Sequence, residues 1–162
     1  MRKITSTSYQ LDRYLDDSPA ATYAMGDARL SLEREEPENF DVLAVDAFSS
    51  DSIPVHLLTK EAMELYFRHL KPDGVLAVHI SNRYLDLQPV LKGEADATGK
   101  LARVVDTEDD ETQDVFGATW VLLVSPSAGY DPLEMDGSVP IATKRTVRLW
   151  TDDYSNLYRI LK

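Results

Sequence analysis

The sequence predicts an α/β protein built on a mostly parallel sheet, and three observations carry that reading. Short runs rich in β-branched residues, at Val42–Val45, Val75–Ile80 and Ala118–Val124, have the composition of strands covered on both faces. Amphipathic stretches at helical spacing lie between them, which is the alternation of a parallel sheet. The last two strands, Leu101–Val105 and Ala118–Val124, are joined by a short acidic loop instead of a helix. That joint predicts an antiparallel pair at one edge of the sheet.

Taken in order, residues 1–8 read as a weakly ordered start. Tyr9–Leu15 fits a short helix stopped by Asp16-Asp17-Ser18-Pro19. Ala21–Met25 reads as a strand ended by Gly26, and Ala28–Glu36 as a helix stopped by Pro37. Phe40–Asp46 is the next strand. Thr59 is an N-cap for a helix in which Met63, Tyr66, Phe67 and Leu70 recur at three and four residues, forming one packed face. Pro72-Asp73-Gly74 reads as the turn into Val75–Ile80. Asp86–Ala97 is a weaker helix with Leu87, Val90 and Leu91 inward. After Ala118–Val124, residues 126–145 read as loop, and a final helix is expected from Asp152 or Asp153 to the end.

The 162 residues suffice for one domain, 1–162, with a real core. A net charge of −11 repels phosphate backbones and argues against nucleic acid. The same charge would attract polycations, or would simply keep the protein soluble. The chain has no cysteine, which excludes disulfides, thiolate nucleophiles and zinc–thiolate sites. No apolar segment approaches the roughly 20 residues that span a bilayer, and the first residues lack the apolar core of a secretory signal. No membrane partner and a cytoplasmic location are expected. Histidines 56, 69 and 79 show no ligand spacing, so no metal is expected.

The candidate chemistry sits after Phe40-Asp41-Val42-Leu43-Ala44-Val45. Asp46 follows at once, where the strand ends, and ligands of open α/β sheets bind just outside such carboxyl ends. Asp46 is therefore a site residue or a turn cap. Asp51 is a second site carboxylate or a solvated loop residue. His79, Ser81, Asn82, Arg83 and Tyr84 end the next strand, beside Asp46 if the two strands are parallel. A lone histidine there is more often a hydrogen-bonded structural residue than a base. Asp27 reads as the N-cap of the helix after Gly26, and Asp152 and Asp153 as N-caps of the last one.

The acidic strand end, the lead-in Ile53-Pro54-Val55-His56-Leu57-Leu58-Thr59-Lys60-Glu61 and the segment Leu70-Lys71-Pro72-Asp73-Gly74-Val75-Leu76-Ala77-Val78-His79 together resemble the spermidine synthase family. These are the polyamine aminopropyltransferases, and the bacterial spermidine-synthase-like branch is the nearest in pattern. The resemblance runs over 21–124 and again at Trp150-Thr151-Asp152-Asp153-Tyr154-Ser155-Asn156-Leu157. It implies a Rossmann-like fold of the S-adenosylmethionine-dependent methyltransferase type. It implies aminopropyl transfer from decarboxylated S-adenosylmethionine to an amine, with Asp46 assisting deprotonation of the amine. Decarboxylated S-adenosylmethionine or S-adenosylmethionine would be bound as substrate, in part by Asp27 and Ala28. A polyamine or other small amine would meet Ser49, Asp51 and Tyr84. The family carries a second aspartate three residues after the first; here that position is Ser49, and the next carboxylate is Asp51. A hydroxyl does not hold an ammonium as a carboxylate does. Ser81-Asn82-Arg83-Tyr84 resembles a motif of the bacterial branch without an assigned role.

The family fold opens with a strand, a glycine-rich loop and a helix that bring backbone amides close to the nucleoside. The seven glycines, at 26, 74, 93, 99, 117, 129 and 137, include no Gly-x-Gly. By resemblance the chain begins near the family's third strand, so a truncated sheet lacking the first two strands is expected. Three readings follow. One is an aminopropyltransferase-like enzyme, impaired in this chain alone. The second is a non-catalytic homologue that self-associates, as a homodimer, through its open sheet edge. The third is a small-molecule methyltransferase on the same scaffold.

Overall fold

The computed structural model describes residues 2–4, 21–23, 26–46, 53–109, 116–126 and 137–162. The chain divides into two compact units, Met1–Glu36 and Pro37–Lys162. In the first, β1 (Arg2–Ile4) pairs in parallel with β2 (Ala21–Tyr23), and α1 (Ala28–Arg34) follows. Part of the stretch expected to be weakly ordered is thus a strand. Asp27 caps α1: its carboxylate accepts the Leu30 N–H at 3.0 Å. The short helix expected over 9–15 lies outside the described residues.

The second unit holds a five-stranded sheet, formed by β3 (Phe40–Val45), β4 (Leu70–His79), β5 (Leu101–Thr107), β6 (Ala118–Val124) and β7 (Ser138–Pro140). The order is β3-β4-β6-β5-β7. β3 and β4 pair in parallel; every other neighbour pair is antiparallel. Hence β3, β4 and β5 run one way, and β6 and β7 the other. The expected antiparallel β5–β6 pair forms, but not at an edge: β6 inserts between β4 and β5, and β7 adds beyond β5. The hairpin is set by its short connection, whereas strand order depends on tertiary packing that no local pattern encodes.

Register explains the core. Val45, Val78, Val121 and Val104 stand in one row across four strands, and all four are buried. Leu76 and Leu123 extend that face. Two helices pack on the sheet, α2 (Lys60–His69) and α3 (Gln88–Thr98). The expectation that β3 is covered on both faces fails. Among the described strands β3 is an edge, and Val42, on the face opposite Leu43 and Val45, is 60% exposed.

Thr59 caps α2 by accepting the Ala62 N–H, and Met63, Tyr66 and Leu70 are buried as the spacing predicts, whereas Phe67 is only half-buried, under the Lys100 ammonium. Pro72-Asp73-Gly74 is not a turn between elements, because β4 starts directly at Leu70. Phe40 pairs with Leu70, yet Val42 pairs with Val75, so the irregularity is absorbed inside the strand. Gly74 permits this: a Cβ there would stand 2.8 Å from the Phe40 carbonyl oxygen. α3 begins at Gln88, with Asp86 accepting the Gln88 N–H, and ends at Gly99 in the left-handed region (φ 66°). The expected final α-helix is absent. Thr151 and Tyr154 form a β-bridge, and a 3₁₀ turn follows at Leu157–Ile160.

Candidate functional site

The carboxyl ends of β3 and β4 lie side by side. Asp46 continues the Val45–Val78 register by one residue, which sets it opposite His79. Asp46 Oδ1 stands 2.7 Å from His79 Nδ1. His79 Nε2 is 2.7 Å from Ser81 Oγ, two residues further along the same face. The β4–β6 ladder ends here too. The Ile80 N–H donates to the Thr119 carbonyl at 2.8 Å, and the Thr119 N–H donates to Ser81 Oγ at 2.8 Å. The side-chain hydroxyl thus takes the place of a backbone acceptor. Trp120, directly across the ladder from His79, stacks on the imidazole with ring centres 4.9 Å apart and planes 26° apart.

This arrangement fixes the tautomer. An ionised carboxylate only accepts, so the neutral imidazole carries its proton on Nδ1 and donates it to Asp46. Nε2 is then an acceptor, and the Ser81 hydroxyl donates to it. The row is a carboxylate, an oriented base and a hydroxyl. Asp46 is half exposed and His79 about one-fifth exposed, so solutes reach one end of the row. The groups can accept a proton, hold a cation or deprotonate a hydroxyl.

The segment after β4 is tied down. Asn82 Oδ1 accepts the N–H groups of Tyr84 and Leu85 at 2.9 Å each, which closes a turn. Leu85 bridges to Leu161, and Asp86 N–H donates to Ile160 O. Tyr84 is more than half exposed, with the Arg83 guanidinium 5.8 Å over its ring. Of the residues singled out from sequence, Asp46 is in the row and Tyr84 is on the adjoining loop. Ser49 and Asp51 lie outside the described residues. Asp27 and Ala28 belong to the first unit, where Asp27 is a helix cap. His79 and Ser81 lie beside Asp46, as parallel pairing of the two strands predicts, and both join the row. Among the described residues no cluster of three histidine, aspartate or glutamate side chains offers a metal site, and no helix is long and apolar enough to cross a membrane.

A second carboxyl lies on the helix side of the sheet. Glu94 on α3 is fully buried, and its Oε1 accepts the Trp150 N–H at 3.1 Å. Burial pushes its pKa up to about 8, and Glu61 and Glu64 reinforce the rise. The Trp150 carbonyl accepts the Lys60 N–H at 3.0 Å, and Asp152 Oδ1 accepts the Thr59 hydroxyl at 2.8 Å. Asp152 therefore caps no helix of its own. It is held against the start of α2 instead, in the turn that Thr151 and Tyr154 close where a helix was expected.

Parallel β3, β4 and β5, an inserted antiparallel β6 and helices packed on the sheet define a Rossmann-like fold of the methyltransferase type. Known structures share this fold. A probable spermidine synthase from Corynebacterium glutamicum superposes with a TM-score of 0.56 at 19% identity, over 76% of this chain and 46% of that one. A spermidine synthase from Thermotoga maritima gives a TM-score of 0.50 at 15% identity, over 93% of this chain and 54% of that one. The likeness is one of fold, and this chain spans about half the length of those enzymes. No protein-family model matches the sequence, and no curated protein matches it.

Proposed function

We propose that this is a spermidine-synthase-like protein of cytoplasmic polyamine metabolism, whose site at the ends of β3 and β4 serves aminopropyl transfer from decarboxylated S-adenosylmethionine to an amine. The observation that carries this reading is the Asp46–His79 hydrogen bond at the strand ends of a spermidine-synthase-like sheet. An attacking amine must lose a proton as its nitrogen forms a bond to the carbon beside the sulfonium and the carbon–sulfur bond breaks. Asp46 can receive an ammonium, and with His79 it can take up the proton. The overall charge of −11 favours a cationic acceptor. Ser49, Asp51 and Tyr84 are proposed for the amine side. The sequence has no Gly-x-Gly loop, so transfer by this chain alone is expected to be impaired.

Calorimetric titration with 5′-methylthioadenosine, the nucleoside product, tests the reading, with light scattering on the same sample. Saturable binding supports it, and product analysis with putrescine and decarboxylated S-adenosylmethionine follows. Methylated product from S-adenosylmethionine would instead mark a small-molecule methyltransferase. Absence of binding at millimolar nucleoside would overturn the transferase reading. The second reading is then a self-associating homodimer, favoured by β3, whose outer edge has no strand neighbour in the described sheet and whose Val42 is 60% exposed.

A further inference from the structure

Asp46, His79 and Ser81 have a geometry that amine transfer does not use in full. Transfer to an amine needs a carboxylate and a proton acceptor. It does not need a hydroxyl hydrogen-bonded to the far nitrogen of an oriented imidazole. We propose that Ser81 is a nucleophile and that this row catalyses acyl transfer from small carboxylic esters to water through an acyl-Ser81 intermediate.

Nucleophile–base–orienter sites are recognised by their mutual geometry, whatever their order in the chain. The two contacts are both 2.7 Å, Ser81 Oγ to His79 Nε2 and His79 Nδ1 to Asp46 Oδ1. The carboxylate orients the ring so that Nε2 faces the Ser81 hydroxyl. Trp120 holds the ring plane by stacking. Ser81 itself is held by the Thr119 N–H, a donor that also stabilises negative charge developing on Oγ. The row lies at the carboxyl ends of parallel strands, where α/β sheets present reactive groups. The N–H of Asn82, the residue after the nucleophile, makes no hydrogen bond among the described residues. Acyl-transfer sites on such sheets draw one oxyanion donor from that position.

The steps balance. Ser81 Oγ forms a bond to the ester carbonyl carbon as its proton passes to His79 Nε2, and Asp46 stabilises the imidazolium. The carbon–oxygen bond to the leaving alcohol breaks, and the alcohol takes the proton from Nε2. Water then attacks the acyl carbon, gives a proton to Nε2 and releases the acid, and that proton returns to Ser81 Oγ. The net reaction is ester plus water to acid plus alcohol.

The test uses the whole chain and p-nitrophenyl acetate, with release of p-nitrophenolate followed by rapid mixing and the acetylated residue mapped by peptide mass spectrometry. The expected result is a burst approaching one equivalent of p-nitrophenolate, with acetyl on Ser81. His79→Gln and Asp46→Asn should each slow acylation by at least tenfold. Ser81→Cys should move the acetyl group to the new thiol. Mapping on the unsubstituted chain decides the question even where a variant does not fold. Acetyl scattered over lysines and tyrosines without a burst, or Ser81 unlabelled while the chain is folded by circular dichroism, overturns the proposal. Nucleoside binding is not read in this experiment, so its outcome is separate from that of the transferase reading.

Discussion

Two carboxyl groups in the second unit are the same chemistry in opposite surroundings. Asp46, at the open end of the sheet, is half exposed and hydrogen-bonded to an imidazole. Glu94, under the helices, is fully buried and meets only a backbone N–H, with its second oxygen lacking a partner among the described residues. Asp46 is open to water and has an imidazole as its hydrogen-bond partner. Exclusion from water holds Glu94 as a neutral acid at neutral pH. The first position is the one proposed for chemistry, and the second joins α3 to the Trp150 segment. Environment, not residue type, assigns the roles.

The sharpest way to break this contrast is to empty the buried side. Trp150 is 1% exposed and is fixed by Glu94 and Lys60 through its backbone. Trp150→Ala should cost about 3–5 kcal/mol in urea denaturation. A loss below about 1 kcal/mol would mean that the segment is not part of the core. At the strand ends the expected effect lies in function instead. His79→Gln should lower transfer or acylation by about 10²–10⁴-fold, with little change in denaturation midpoint. Equal losses of stability and activity would make His79 a packing residue and erase the distinction.

The sequence showed the strand-end region more clearly than the contacts of Trp150 and Asp152 with α3 and α2, for physical reasons. Val42–Val45 and Val75–His79 are continuous apolar runs, and Asp46 ends the first of them. Parallel pairing then places His79 beside Asp46 without further information. Glu94 falls four residues after Val90 and three after Leu91, on the inward face of α3, so its burial was also readable. The place of β6 was not, because a hairpin states pairing and not which strand lies on its other side. β7 has three residues, too few to show alternation. Asp152 looked like a local helix cap because its true partner, Thr59, is 93 residues away. The coverage of β3 was misjudged because an apolar edge strand and a central strand read alike.

A smaller effect separates the two carboxyls by pH. Glu94 has an ordinary value of 4.5 and a folded value of about 8. Below pH 4.5 both folded and unfolded chains hold the proton, so the group costs nothing. Between 4.5 and 8 the folded chain binds more protons than the unfolded one, so stability falls as pH rises. Above 8 the loss is complete. Glu94→Gln keeps an acceptor for Trp150 N–H and cannot ionise. Its melting temperature should match the wild type near pH 4.5 and exceed it by a few degrees at pH 8.5. A constant difference across that range would show that Glu94 does not titrate between the two states.

The smallest effect probes the joint itself. The Thr59 hydroxyl accepts the Ala62 N–H as the cap of α2, and it donates to Asp152. Thr59→Ala removes both bonds and leaves the Asp152 carboxylate without that donor. The expected loss is about 1–2 kcal/mol, a lost cap together with a lost charge-assisted hydrogen bond that is only partly exposed to water. Thr59→Ser keeps both bonds and should recover most of that stability, whereas a purely steric role for the threonine methyl would leave Ser as damaging as Ala. In a Thr59→Ala, Asp152→Ala cycle the two effects should be less than additive, because each substitution deletes the same contact. Strict additivity would mean that Thr59 acts as a cap alone and that the Trp150 segment is held by its backbone bonds to Glu94 and Lys60.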